Sequence, residues 1–408
     1  MRKINPNDFR IATRSTSRDI NRRIALNLIR EHQPISRADL ARLMKVTRGI
    51  ISVLVNELIT EGLIYEGATG EVARGRKPTF LHVRTKDRLC MALDIRFSRT
   101  FMMLSDFAGR QLALEMFDTI FDPAELVKDL AARVRRLVKS HGANSRCEGI
   151  GVVVPGMVDH RTGEVLNAPT LGWRAVDIRE SLARATGLSV HIENAAKACA
   201  LAQIWLSRNT PNLSHDFVHV SVSDGVGVGI VVNGELLRGH DNTAGEFGHV
   251  PLSLDGPRCM CGATGCWEAY VSNIATLSRY FGRELSKMNG KPMVEANGGT
   301  FTVTDLIARA HSGDQKAISA VQTSARYLGL GLATVINALN PDCVFIGGEI
   351  TTAWDLVESI VRTSLAERTL TPAAARTPIH IAAAVEFPRL RGAAALVAAP
   401  TFAAPRIA

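Results

Sequence analysis

The chain has 408 residues, 46% of them hydrophobic and 21% charged, which is enough for two or three globular domains with large cores. Its net charge of +9 is confined to one end: residues 1–88 carry 18 Lys and Arg against 9 Asp and Glu, whereas residues 89–408 carry 30 of each. No apolar run reaches the ~18 residues of a membrane span, and Arg2 and Lys3 precede no apolar export segment, so the expectation is a cytoplasmic protein with no membrane partner.

Residues 1–18 are polar and basic without periodicity and are expected to form a loose arm. From Asn21 to Glu31, Ile24, Ala25, Leu28 and Ile29 recur at helical spacing, and Pro34 ends that helix. Ser36-Arg37-Ala38-Asp39 has the Ser-x-x-Asp form of a capping box and opens a short helix with Leu40, Leu43 and Met44 on one face. After a tight turn at Lys45-Val46, Thr47 is placed to cap a third helix with apolar residues Ile50, Ile51, Leu54, Val55, Leu58 and Ile59. Leu63-Ile64-Tyr65 and Phe80-Leu81-His82-Val83, with Gly67 and Gly70 between them, read as a hairpin.

Three short helices, a tight second turn and a hairpin predict a mainly α winged helix-turn-helix over residues 19–88. A basic module on a neutral body is the electrostatic footprint of phosphate-backbone binding. The third helix leaves Thr47, Arg48, Ser52 and Asn56 off its apolar face, residue types that reach phosphates and base edges in a major groove. Arg74, Arg76 and Lys77 put three cations on the wing, suited to a minor groove. The expected partner is operator DNA, and the pairing of regulators with palindromic half-sites implies a homodimer or homotetramer.

Beyond residue 88 the texture changes to apolar strands punctuated by glycine and to alanine-rich helices. Met91–Ile95, Phe101–Leu104, Ile150–Val154, Val218–Val222 and Val228–Val232 read as strands, and 124–140, 194–207 and 315–339 as helices, an α/β pattern. Within this body, His249, Cys259, Cys261 and Cys266 fall in eighteen positions, with Gly262 and Gly265 between the cysteines. One imidazole and three thiolates form a closed ligand set for tetrahedral Zn2+, so a structural zinc knuckle is expected at 249–266. Such a site has no open coordination position and acts by holding its neighbours, here Glu246 and Glu268, toward a ligand rich in hydroxyls.

Glu-x-Gly-His over Glu246–His249, followed by Cys-x-Cys-Gly-x-x-Gly-Cys-x-Glu over Cys259–Glu268, resembles the signature of the ROK family of sugar kinases, repressors and open reading frames. The resemblance runs from about residue 89 to 400. It implies a two-lobed α/β body of the actin and hexokinase (ribonuclease H-like) type, with zinc on His249, Cys259, Cys261 and Cys266. A small sugar or sugar phosphate is then held in the cleft by Glu246, His249 and Glu268, with Asn194 from the other lobe. Loops at Pro155-Gly156 and Asn167-Ala168-Pro169 resemble the family's sugar-contacting loops.

Three departures from the kinases of that family bear on chemistry. Where they carry an aspartate that takes the sugar hydroxyl proton, this chain reads Glu193-Asn194-Ala195-Ala196, and a methyl group accepts no proton. Where they carry Asp-x-Gly-Gly-Thr around the phosphates, it reads Asp94-Ile95-Arg96-Phe97-Ser98, with bulk in place of both glycines. Ser223-Asp224-Gly225-Val226-Gly227 keeps its glycines but sets a carboxylate where phosphates approach. The expectation is a regulator, a repressor more than an activator, with no catalytic residues. The alternative is an active sugar kinase fused to a DNA-binding domain.

Overall fold

The computed structural model describes residues 14–69, 79–97, 99–141, 146–206, 215–285, 294–296, 299–382 and 386–403. Its N-terminal module is built from α1 (Arg14–His32), β1 (Ile35–Ser36), α2 (Arg37–Met44), α3 (Arg48–Thr60), β2 (Ile64–Thr69) and β3 (Thr79–Val83). Ser36 caps α2, its hydroxyl accepting from the Asp39 amide at 3.2 Å and donating to the Asp39 carboxylate at 2.6 Å. Lys45 takes the left-handed conformation at the end of α2 and makes the tight turn into α3. β3 lies between β1 and β2, antiparallel to both.

Three expectations for this module need correction. Residues 14–18 belong to α1 rather than to a loose arm, because Arg18 pairs with Glu57 of α3 and Arg22 with Glu61 just past its end, contacts that need no apolar periodicity. Thr47 sits at the N-cap of α3 but its side chain makes no capping bond. Ile51, Leu54, Val55 and Leu58 are buried as expected, whereas Ile50 is 45% exposed, being turned off that face by the 3.6-residue repeat. Arg74, Arg76 and Lys77 lie outside the described residues.

The first lobe of the body contains β4 (Arg88–Ile95), β5 (Arg99–Asp106), β6 (Gln111–Asp118), α4 (Pro123–His141), β7 (Arg146–Val154), a small antiparallel sheet of β8 (Met157–Val158), β9 (Val165–Ala168) and β10 (Trp173–Val176), then α5 (Ile178–Thr186), β11 (Val190–Asn194) and α6 (Ala195–Leu206). Its main sheet has the order β11-β7-β4-β5-β6, with β4 parallel to β7 and antiparallel to β5. β4 is covered on both faces and reads accordingly as a continuous apolar run from Leu89 to Leu93.

The second lobe follows with β12 (Phe217–Val222), β13 (Val226–Val232), β14 (Glu235–Leu236), α7 (Glu268–Val271), α8 (Asn273–Phe281), β15 (Val294–Ala296), β16 (Gly299–Phe301), α9 (Val303–His311), α10 (Gln315–Leu339), β17 (Cys343–Gly348), α11 (Trp354–Ala366), α12 (Pro372–Ala375) and β18 (Ile379–Ile381). Its sheet order, β14-β13-β12-β17-β18, repeats the first: an antiparallel meander on one side of the founding strand and parallel strands on the other.

The last helix, α13 (Pro388–Phe402), returns to pack on β4, β7 and α6. Its small residues allow backbone contact: a Cβ built on Gly392 would meet the Ala198 carbonyl oxygen at 2.0 Å. Gly392→Ala is therefore expected to overpack this seam and to destabilise the fold by about 1–3 kcal/mol, read as a lowered midpoint in thermal or urea denaturation. The apolar cluster that includes α13 also takes in Leu26, Leu40, Ile51 and Leu58 of the N-terminal module.

Candidate functional site

A cavity of about 130 Å³ opens where the C-terminal ends of β4, β7, β11 and β12 meet, the position where open α/β sheets hold ligands. Asn194, Glu246, His249 and Glu268, expected together from the sequence, all line it. Glu246 precedes the short 3₁₀ turn Phe247–His249, and Glu268 begins α7 behind the fully buried Trp267, whose indole N–H donates to the Tyr327 carbonyl at 2.9 Å. One Glu268 carboxylate oxygen accepts the Val226 amide at 2.9 Å, which ties it to the glycine-rich turn between β12 and β13. Burial holds the Glu246 carboxyl above its ordinary range, with Glu268 acting in the same direction and His249 and Lys197 opposing.

Asn194 is more committed than its sequence suggested. Its amide N–H donates to the Gly156 carbonyl at 2.7 Å, while its oxygen accepts from the Ala196 amide at 2.9 Å and so caps α6. One amide hydrogen remains for a ligand. Behind it lies a polar network that sequence reasoning missed. The fully buried Glu193 accepts from the Asn194 amide at 2.9 Å and pairs with Arg238, while Lys197 Nζ donates to Asn242. Asn242 Nδ2 reaches the Val158 carbonyl at 2.8 Å, so the loop leading to Glu246 is fastened to the first lobe. The available signal was Lys197 itself, the single charged residue of the mainly apolar Ala195–Leu206. Burial lowers its pKa, with Glu193 and Glu246 countering.

Beside the cavity, the ligand atoms of His249, Cys259, Cys261 and Cys266 lie within 4.8 Å of one another. Sγ of Cys261 and Cys266 are 3.7 Å apart, as are Cys259 Sγ and His249 Nδ1. Zn–S bonds of ~2.3 Å at tetrahedral angles place sulfurs ~3.8 Å apart, so the donor set and its spacing fit one such ion. Backbone bonds shape the loop around it, from the Cys259 amide to the Ala263 carbonyl (2.8 Å) and from the Leu252 amide to the Gly265 carbonyl (2.8 Å). Gly265 has φ +72°, and a Cβ there would fall 1.5 Å from the Ser253 carbonyl oxygen, so no side chain is tolerated.

At the far end of the cavity, Arg96 Nε lies 2.6 Å from the fully buried Asp94, and Arg389 Nη1 from α13 lies 3.8 Å from the same carboxylate. Ala195 also lines the cavity. Asp224 faces these cations from the second lobe, its pKa raised by burial and by Glu349 against the opposing Arg389, Asn273 and Arg96. Arg389 gave no sequence signal, since its cavity partners lie more than 150 positions away.

On the N-terminal module, Thr47, Arg48 and Asn56 are exposed on one side of α3 and Ser52 is half-buried beside them. Arg37 binds this surface, its guanidinium reaching Asn56 Oδ1 at 2.9 Å and the Ser52 carbonyl at 3.4 Å. Ile50 and Val53, 45% and 51% exposed, add apolar side chains to the exposed surface of the same helix.

Residues 90–399 match the ROK family model. The xylose repressor of Bacillus subtilis (strain 168) is 27% identical over 362 residues, covering 88% of this chain and 89% of the relative. Among solved structures, a ROK family transcriptional regulator described as a homolog of the E. coli MLC protein superposes with TM-score 0.79 at 27% identity, covering 95% of this chain and 97% of that one. A ROK hexokinase from Thermus thermophilus superposes with TM-score 0.58 at 28% identity, covering 76% of this chain and 97% of its own. With more than three quarters of its length matched by the family model, and with the Glu-x-Gly-His and cysteine motifs gathered at one cavity, the chain belongs to the ROK family.

Proposed function

We propose that this protein is a sugar-responsive transcriptional repressor of carbohydrate uptake or catabolism genes. In this reading residues 19–88 are a winged helix-turn-helix that binds operator DNA, and residues 89–400 are a two-lobed sugar sensor of the actin and hexokinase type. The observation that carries it is the single cavity uniting Asn194, Glu246, His249 and Glu268, with a methyl group at Ala195 where a kinase needs a base. The sugar is held and not phosphorylated. Relatives named as repressors over most of their length support the same reading, and their names make D-xylose the first sugar to test.

Zinc in the His249, Cys259, Cys261 and Cys266 site is structural, and it fixes the direction of Glu246 and Glu268. Thr47, Arg48, Ser52 and Asn56 face the major groove, Arg74, Arg76 and Lys77 the minor groove, and two modules of a homodimer or homotetramer meet two half-sites.

The test uses full-length protein with a duplex selected from a random pool, and separately with ATP and a panel of sugars. DNA affinity is expected to fall by ~10³-fold or more between 50 and 200 mM salt, as neutralisation of about six or more phosphates requires. ADP release stays at the level without protein. DNA retention insensitive to salt, or sugar-dependent ADP release, refutes the reading.

A further inference from the structure

Helix α13 reaches both the cavity and the N-terminal module. The first turn of α13 places Arg389 on the wall of the sugar cavity, 3.8 Å from buried Asp94 of the first lobe and within electrostatic reach of Asp224 on the second. Its last turn is received by α1 of the N-terminal module. Arg23 Nη1 donates to the Ala403 carbonyl at 2.7 Å and to the Pro400 carbonyl at 3.2 Å, and Asn27 Nδ2 donates to the Phe402 carbonyl at 2.8 Å. The Arg30 guanidinium lies over the rings of Trp205 and Phe402, 3.7 and 4.5 Å from their centroids. Arg23, Asn27 and Arg30 follow at helical spacing, so α1 offers one face to the carbonyls that every α-helix leaves unpaired at its C-terminus. A guanidinium there also meets the negative end of the helix dipole.

Between Pro388 and Ala399, ahead of the Pro400 that lies within its last turn, the helix has little freedom to deform. Its 15 residues span about 22 Å, and its backbone is in contact with both neighbours. A Cβ on Gly151 of β7 would meet the Ala393 carbonyl oxygen at 1.8 Å, and Gly392 is as close to α6. A close-packed rod of this kind shifts as a unit by an ångström or two and does not bend.

We infer that α13 carries sugar occupancy from the cavity to the DNA-binding module, with Arg389 as the positioning residue at the cavity end and Arg23, Asn27 and Arg30 as the joint at the other. Arg389 answers to charges on both lobes. When a sugar draws the lobes together, the carboxylates of the second lobe move relative to Arg389, α13 is displaced along its seam, and α1 follows the carbonyls it caps. The inference rests on the repressor reading above and adds its route.

The experiment compares the wild type, Arg23→Ala/Asn27→Ala, Arg389→Ala and Arg389→Lys as full chains. Anisotropy with the selected duplex gives the factor by which D-xylose, or whichever panel sugar acts on the wild type, lowers DNA affinity. Calorimetry gives sugar affinity without DNA. For the wild type the factor is expected to be at least ~5. In the joint variant it falls below about two while sugar affinity stays within about two-fold of wild type, as expected when coupling and binding are separable. Arg389→Ala loses the factor as well, and Arg389→Lys, which keeps the charge, recovers part of it. In the wild type, the sugar also changes hydrogen exchange of the amides in residues 396–403.

A joint variant with the full factor overturns the α13 route and leaves the repressor reading standing. A joint variant that no longer binds DNA at all makes the seam a mount and not a relay, and also overturns it, as does unchanged exchange at 396–403. A wild type that no sugar shifts overturns the repressor reading, and this route with it.

Discussion

Cys266→Ser is expected to lower zinc content from about one ion per chain to near zero, and to remove the sugar response with it. Cys266 is buried within a loop that ends on Trp267, so the substituted hydroxyl can neither leave the site nor replace a thiolate as a charged ligand. Without a metal, burial raises the Cys259 and Cys266 thiols, so a bound zinc ion would be what stabilises their thiolates, and its binding is expected to release protons. Losing one ligand leaves the buried Cys259, the exposed Cys261 and His249 without an organising charge, and Glu246 and His249, on the same loop, are expected to lose their fixed direction.

The damage should stay local. The downstream end is pinned by the buried Trp267 indole and its bond to Tyr327, and the N-terminal module shares its core with α13 and not with the knuckle. DNA binding in the absence of sugar is then retained. Atomic absorption, circular dichroism and a gel shift on the same preparation check the three statements. Full zinc occupancy in the variant would show the ligand assignment to be wrong.

The knuckle was legible in the sequence because its four ligands fall within eighteen positions, and a short loop cannot keep them far apart. The α/β body was legible for a similar reason: buried strands such as Leu89–Leu93 and amphipathic helices such as α4 announce their burial in a local pattern. What the sequence concealed depends on distant partners. The start of α1 at Arg14 rests on ion pairs to Glu57 and Glu61 some 39 positions away, and no window of neighbouring residues contains them. Ile50 reads in the sequence like its buried neighbours, because an apolar side chain looks the same whether it faces a core or the surface.

Asn194 carried the reverse difficulty. Its amide suits a sugar hydroxyl and a helix cap equally well, and only the positions of Gly156 and Ala196 reveal that the cap has most of it. Arg389 is the extreme case: nothing around it in the sequence distinguishes it from a solvated arginine, yet it faces Asp94 across nearly 300 positions.

The second large effect is the mutual weakening of sugar and DNA. Asn194 stands on the first lobe, and Glu246 and His249 at a short turn and Glu268 at the start of α7 stand on the second, so a sugar held by both sets is expected to favour a closed cleft. Only such a difference in affinity between two states can shift their balance. In the proposed oligomer, closure would change the presentation of two modules to two half-sites, and DNA affinity is expected to drop by a factor of ~5 to 150. Linkage then requires DNA to weaken sugar binding by the same factor. Glu268→Gln reduces the sugar affinity and leaves DNA binding without sugar unchanged, because Glu268 touches the cavity and the Val226 turn and lies apart from the module.

The most direct measurement is a calorimetric titration of D-xylose, and then of the remaining sugars, into the full-length protein alone and into the protein saturated with its selected duplex. Sugar is expected to bind the DNA complex more weakly, by the same factor that the sugar imposes on DNA binding. Identical constants with and without DNA would mean that the cavity and the module are uncoupled, and a tighter constant on DNA would reverse the sign and make the sugar a corepressor.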